Sequence, residues 1–130
     1  QRLVLMRLRE GPILFGSFAS APGPGRADAP VTVTDASGRR HAVRGFFLAL
    51  SYDEGEAWTD FRALSDDGPP RRTPTTNGAQ AGNAFDMSPT QGEPRGYFAV
   101  TQARNGVIHL ISSWNHYAFN LKWLQTPPSM

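Results

Sequence analysis

The chain has 130 residues with formal charges that nearly cancel, 13 Lys and Arg against 11 Asp and Glu. That is enough length for one hydrophobic core, and a net charge of +2 gives no self-repulsion that would oppose folding. The absence of Cys excludes a disulfide scaffold, a thiol nucleophile and a thiolate-bound metal, and the 13 Gly and 11 Pro favour short elements and many turns over long helices.

In chain order, hydrophobic alternation and β-branched runs predict strands throughout. Residues 2–8 (RLVLMRL) and 13–18 (ILFGSF) read as a hairpin around the turn signal Arg9-Glu10-Gly11-Pro12. Residues 19–30 are low in bulky side chains and punctuated by Pro and Gly, which marks a loop. Residues 31–34 (VTVT) turn through Asp35-Ala36-Ser37-Gly38 into residues 41–44. Next come two strands, 45–51 (GFFLALS) and the alternating 56–64 (EAWTDFRAL). Residues 65–94 are rich in Pro, Gly, Asn, Thr and Asp and read as one long loop, of a length usually tied to function or disorder. Residues 96–103 and 107–113 form a hairpin across Asn105-Gly106, a dipeptide suited to a tight type I′ turn. Residues 115–117 read as a connection and 119–124 (FNLKWL) as a last strand. No segment predicts an amphipathic helix, so the expected class is all-β.

Several function classes fall away. The cations are scattered, so the clustered positive surface that nucleic-acid binding needs is missing. No apolar run is long enough for a membrane helix. Three His without a nearby carboxylate pattern do not predict a catalytic metal, and no other cofactor is expected. Neither a G-x-S-x-G elbow nor a P-loop occurs. The chain begins at Gln1 without a charged and apolar leader, so no secretory signal is visible in it.

One local pattern is specific. Ser51-Tyr52-Asp53-Glu54-Gly55-Glu56-Ala57-Trp58 has the form S-x-D-x-G-x-x-W between two predicted strands. An Asp at a hairpin tip can accept bonds from backbone N–H groups of its own turn, Gly55 supplies a conformation that branched residues resist, and Trp58 can plug the hairpin into the layer beneath. This octet resembles the Asp-box of sialidase-like and BNR-repeat β-propellers, with Ala57 where that family often has Thr. Ser51, Asp53, Gly55 and Trp58 would then be structural. A second stretch, Gly96-Tyr97 through Gln102, Asn105-Gly106-Val107-Ile108-His109-Leu110 and Trp114-Asn115, resembles the last blade of the same proteins.

The resemblance implies two four-stranded propeller blades, residues 1–64 and 96–126, separated by the loop 65–95. Two blades cannot close a ring, so the chain is expected either to be part of a longer protein or to assemble as a homo-oligomer, a trimer being favoured. It further implies a glycoside hydrolase acting on a carbohydrate at the central channel, in a secreted or periplasmic setting. Residues matched to that site are Tyr97 as nucleophile, Glu93 to orient or deprotonate it, and Arg44 and Arg95 beside them. Trp114, Asn115, His116 and Tyr117 would line the sugar site. The alternative is a non-catalytic carbohydrate-binding or structural propeller piece.

Overall fold

The computed structural model describes residues 2–19, 31–73 and 84–130. Most of the predicted loop 19–30, and the middle of the predicted loop 65–94, lie outside the described residues. Eleven strands and one short helix are present among the described residues: β1 (Val4–Arg7), β2 (Ile13–Ala19), β3 (Thr32–Thr34), β4 (Arg40–Ala42), β5 (Gly45–Ser51), β6 (Thr59–Ala63), β7 (Arg71–Thr73), β8 (Phe85–Met87), β9 (Ala99–Gln102), β10 (Ile108–Ile111), β11 (His116–Phe119) and α1 (Leu121–Gln125). The chain is all-β apart from α1, and every strand pairing within its sheets is antiparallel.

A four-stranded sheet has the order β1-β2-β5-β6, and a three-stranded sheet the order β11-β10-β9. The two pack face to face. Val4, Leu14, Phe46, Leu48 and Leu50 from the first sheet meet Ile108 and Leu110 from the second and Phe98 just before it, with Leu124 of α1 completing the cluster. Alternate residues point the other way. Phe47, Ala49 and Ala63 pack with Val33 and Val43 beside the β3–β4 hairpin. Both faces of β5 are therefore covered, which explains why GFFLALS is a continuous apolar run and not an alternating one. Gln102 pins the sheets together at one end, accepting from the backbone N–H of Arg9 (2.8 Å) and donating to Glu10 Oε1 (2.9 Å).

Three expectations need correction. The second sheet has three strands where a four-stranded blade was predicted, and no closed sheet or ring exists among the described residues. The third strand is 116–119, overlapping the predicted connection 115–117, and most of the predicted last strand 119–124 is instead the helix α1. The cause is local: Asn120 caps the helix, its Oδ1 accepting from the Trp123 N–H at 2.9 Å. The Arg62 guanidinium then holds the helix end, lying 4.0 Å over the Trp123 ring and donating to the carbonyls of Trp123 and Thr126. Finally, the predicted loop 65–95 contains the β7–β8 hairpin, braced by the exposed Arg72–Asp86 pair at 3.3 Å.

Candidate functional site

The Ser51–Trp58 turn joins β5 to β6 and is closed by its own side chains. Ser51 Oγ donates to Asp53 Oδ1 (2.9 Å) and accepts from the Gly55 N–H (2.8 Å), while Asp53 Oδ1 also accepts from the Ala57 N–H (2.9 Å). These bonds, the Ala57 N–H foremost, hold the Asp53 carboxyl below the usual carboxylate range. Gly55 has φ +88°, as the turn requires, and Trp58 packs on Phe15 with ring centroids 5.3 Å apart. The Asp35 turn uses similar chemistry. Asp35 accepts from Ser37 Oγ (2.6 Å), the Ser37 N–H (2.9 Å) and the Arg39 N–H (3.0 Å), and pairs with His41 at 2.7 Å. The Ser37 hydroxyl first, then His41, hold its carboxyl far below the ordinary value.

The sequence-predicted site residues gather at the opposite end of β5. Arg44 bridges to Gln91 in parallel, its N–H donating to Thr90 (3.0 Å) and its carbonyl accepting from Gly92 (2.9 Å). Phe46 N–H then donates to the Glu93 carbonyl at 2.8 Å. This crossing is tight. A Cβ on Gly45, where φ is +80°, would lie 2.2 Å from the Gly92 carbonyl oxygen, and one on Gly92 would lie 2.5 Å from that of Phe46. Two glycines in contact thus let the 90–93 segment carry Glu93 into the space between the sheets.

Glu93 is 1 % exposed and organises the β10–β11 turn. Its Oε1 accepts from Ser112 Oγ (2.8 Å), Asn115 Nδ2 (2.7 Å) and, in a very short bond, the Tyr117 hydroxyl. Ser112 Oγ in turn accepts from the N–H groups of Trp114 (3.2 Å) and Asn115 (2.8 Å), so the turn is fixed on both sides of the carboxylate. Glu93 Oε2 is buried with no hydrogen-bond partner among the described residues. Burial, followed by the Glu93 charge, pushes the Tyr117 phenol far above its ordinary value, so its proton stays on the phenol in the free protein.

Tyr97 lies just before β9, 66 % exposed, and is attached through its backbone N–H to Ser113 Oγ at 3.1 Å. Its hydroxyl has no hydrogen-bond partner among the described residues. Arg44, Arg95 and His116 are exposed, and Trp114 is half-buried, its ring against Gly96. Glu93, Asn115 and Tyr117 are thus in direct contact, with Arg44, Arg95, Tyr97 and Trp114 carried on the segments that flank them. The carboxylate predicted to serve Tyr97 is hydrogen-bonded to Tyr117 instead. The pairing spans 24 positions; the alternation His116-Tyr117-Ala118-Phe119 signals only that Tyr117 turns inward beside Leu110, and not which carboxylate it meets.

Tyr117 also borders a cleft of about 610 Å³ whose walls include Ser65, Asp66, His116, Asn120 and Trp123. Asp66 is held below the usual carboxylate range chiefly by Arg71, which donates to both its oxygens. It is ionised at neutral pH and cannot act there as a proton donor. The site therefore offers a protonated phenol hydrogen-bonded to a buried carboxylate, with Arg44 and Arg95 on adjacent segments. No family model, curated protein or solved structure matches the chain.

Proposed function

We propose that the chain is a sialidase-like propeller segment whose two sheets are blades, and that it hydrolyses a glycosidic bond with Tyr117 as nucleophile and Glu93 as its base. The observation that carries this reading is the Tyr117–Glu93 hydrogen bond, made by a residue that also lines the cleft. A phenol bonded to a buried carboxylate has the pairing of an activated nucleophile: Glu93 takes the proton as the phenol oxygen bonds to the anomeric carbon. The glycosidic C–O bond breaks and the aglycone oxygen leaves to be protonated by water, and a second water then releases the sugar from Tyr117. A neutral nucleophile suits an anionic sugar, which a second carboxylate would repel, and Arg44 and Arg95 supply the positive charge that such a sugar needs. The strand order β1-β2-β5-β6, with the Ser51–Trp58 turn between its last two strands, supports the blade reading. Blades leave open sheet faces, and three copies completing one ring would cover them.

The test is a panel of neutral and anionic aryl glycosides incubated with the chain. Release of the aryl group is expected for an anionic sugar, lost in Tyr117→Phe and retained in Tyr97→Phe. Absence of turnover across the panel, or full turnover by Tyr117→Phe, rejects the assignment.

A non-catalytic carbohydrate binder is the second reading. It is favoured by the saturation of Glu93 Oε1 with three donors and by the raised phenol, since a purely structural carboxylate would look the same. Sugar binding with no turnover, unchanged in Tyr117→Phe, would select it.

A further inference from the structure

The outer face of the three-stranded sheet carries a histidine pair to which the proposed reaction gives no chemical step, although His116 also borders the cleft. Register places Ile111 opposite His116 and His109 opposite Ala118 on adjacent strands β10 and β11. Ile108, Leu110, Tyr117 and Phe119 turn into the core, so His109 and His116 share the other face as diagonal neighbours. His109 Nδ1 and His116 Nε2 are 3.0 Å apart. The ring planes differ by only 6°, with centroids 5.2 Å apart. That separation is close to the nitrogen–nitrogen distance plus both ring radii, so the imidazoles meet edge to edge and share one N–H. The same face holds Ala99, Thr101, Ile111 and Ala118, with no charged side chain.

We infer that His109 and His116 form a two-imidazole site for a divalent transition metal, Cu(II) above all. Two metal–nitrogen bonds of about 2.0–2.1 Å at a right angle separate their nitrogens by about 3 Å, whereas a tetrahedral ion needs about 3.4 Å. The observed 3.0 Å is within a small ring rotation of either spacing, and Cu(II) binds imidazole donors most tightly of the divalent series. The nitrogens now face one another, so both rings must swing outward to converge on the ion; their direct cross-strand neighbours are Thr101 and Ala118 beside His109 and Ile111 beside His116. The shared proton moves to the other nitrogen of its own ring, freeing both lone pairs, and water fills the remaining positions. Among the described residues no third His, Cys, Asp or Glu joins the pair, and His116 is exposed.

The experiment titrates the chain with copper(II) chloride at neutral pH, followed by calorimetry and by electron paramagnetic resonance. Expected is one ion per chain with hyperfine splitting from two nitrogens. His109→Asn and His116→Gln should each weaken binding at least about tenfold, because either one removes the chelate. His41→Ala should leave binding unchanged, since that ring belongs to Asp35. Weakening below tenfold in either variant, or a one-nitrogen spectrum from the unmodified chain, overturns the site. The spectrum decides the matter even if a variant does not fold.

Discussion

Replacing Glu93 with Ala should unfold the β10–β11 turn before any other part of the fold. The carboxylate is the common acceptor of Ser112, Asn115 and Tyr117. Without it the Ser112 hydroxyl retains a longer alternative, the Asn115 carbonyl at 3.4 Å, whereas Asn115 and the mostly buried Tyr117 hydroxyl lose their charged acceptor and keep their contact with each other. The lost charge-assisted bonds from Asn115 and Tyr117 cost about 1.5–3 kcal/mol each. Relief from burying a carboxylate whose second oxygen has no partner offsets part of this, leaving a net loss of about 3 kcal/mol. For a chain of this size that corresponds to a fall in Tm of roughly 10 °C. Urea denaturation followed by Trp fluorescence and by circular dichroism would measure it, with Glu54→Ala as the control. Glu54 pairs with Arg7 at 2.5 Å in the open, and its loss should cost less than about 1 kcal/mol. A Glu93→Ala loss no larger than the control's would refute the view that this carboxylate holds the turn.

Other outcomes follow from the same geometry. Gly45→Ala should destabilise by more than about 3 kcal/mol in urea denaturation, because the added carbon meets the Gly92 carbonyl and φ is positive; a near-neutral effect would contradict the close crossing. Acid should weaken the fold through Asp35 and Asp53. Their carboxyls lie below the unfolded value of about 3.9, so their contribution is present above that pH and is lost as pH falls through the folded values. The urea midpoint of the unmodified chain should therefore drop between about pH 5 and pH 2, and Asp35→Asn should flatten that drop. The solution mass by light scattering should be that of three chains if open sheet faces are covered by further copies. A monodisperse single chain would reject self-assembly.

Much of the fold was legible because its signals are local. The Ser51–Trp58 turn closes through bonds between residues no more than four positions apart, so spacing alone exposes it. The strands β1, β2, β5, β6, β9 and β10 announce themselves by apolar runs and by turns at Gly11-Pro12 and Asn105-Gly106. FNLKWL misleads because it alternates like a strand; the Asn120 cap and the Arg62 clamp, made with a residue some sixty positions earlier, convert it to helix. The β7–β8 hairpin is hidden because Arg71-Arg72-Thr73 has no apolar residue, and its register comes from Phe85 and Met87 on the other strand. At the site, sequence brought Glu93 and Tyr117 onto the same roster but paired Glu93 with its near neighbour Tyr97. Contact across the sheet, which spacing does not encode, paired it with Tyr117.

The most direct test of the proposed chemistry is to trap the sugar. A fluorinated glycoside that slows hydrolysis of the covalent intermediate, followed by proteolysis and mass spectrometry, locates the bond. The expected result is one sugar per chain on Tyr117, absent in Tyr117→Phe. A label on Tyr97 or on a carboxylate, or no label while the substrate is turned over, would contradict the assignment of Tyr117 and Glu93.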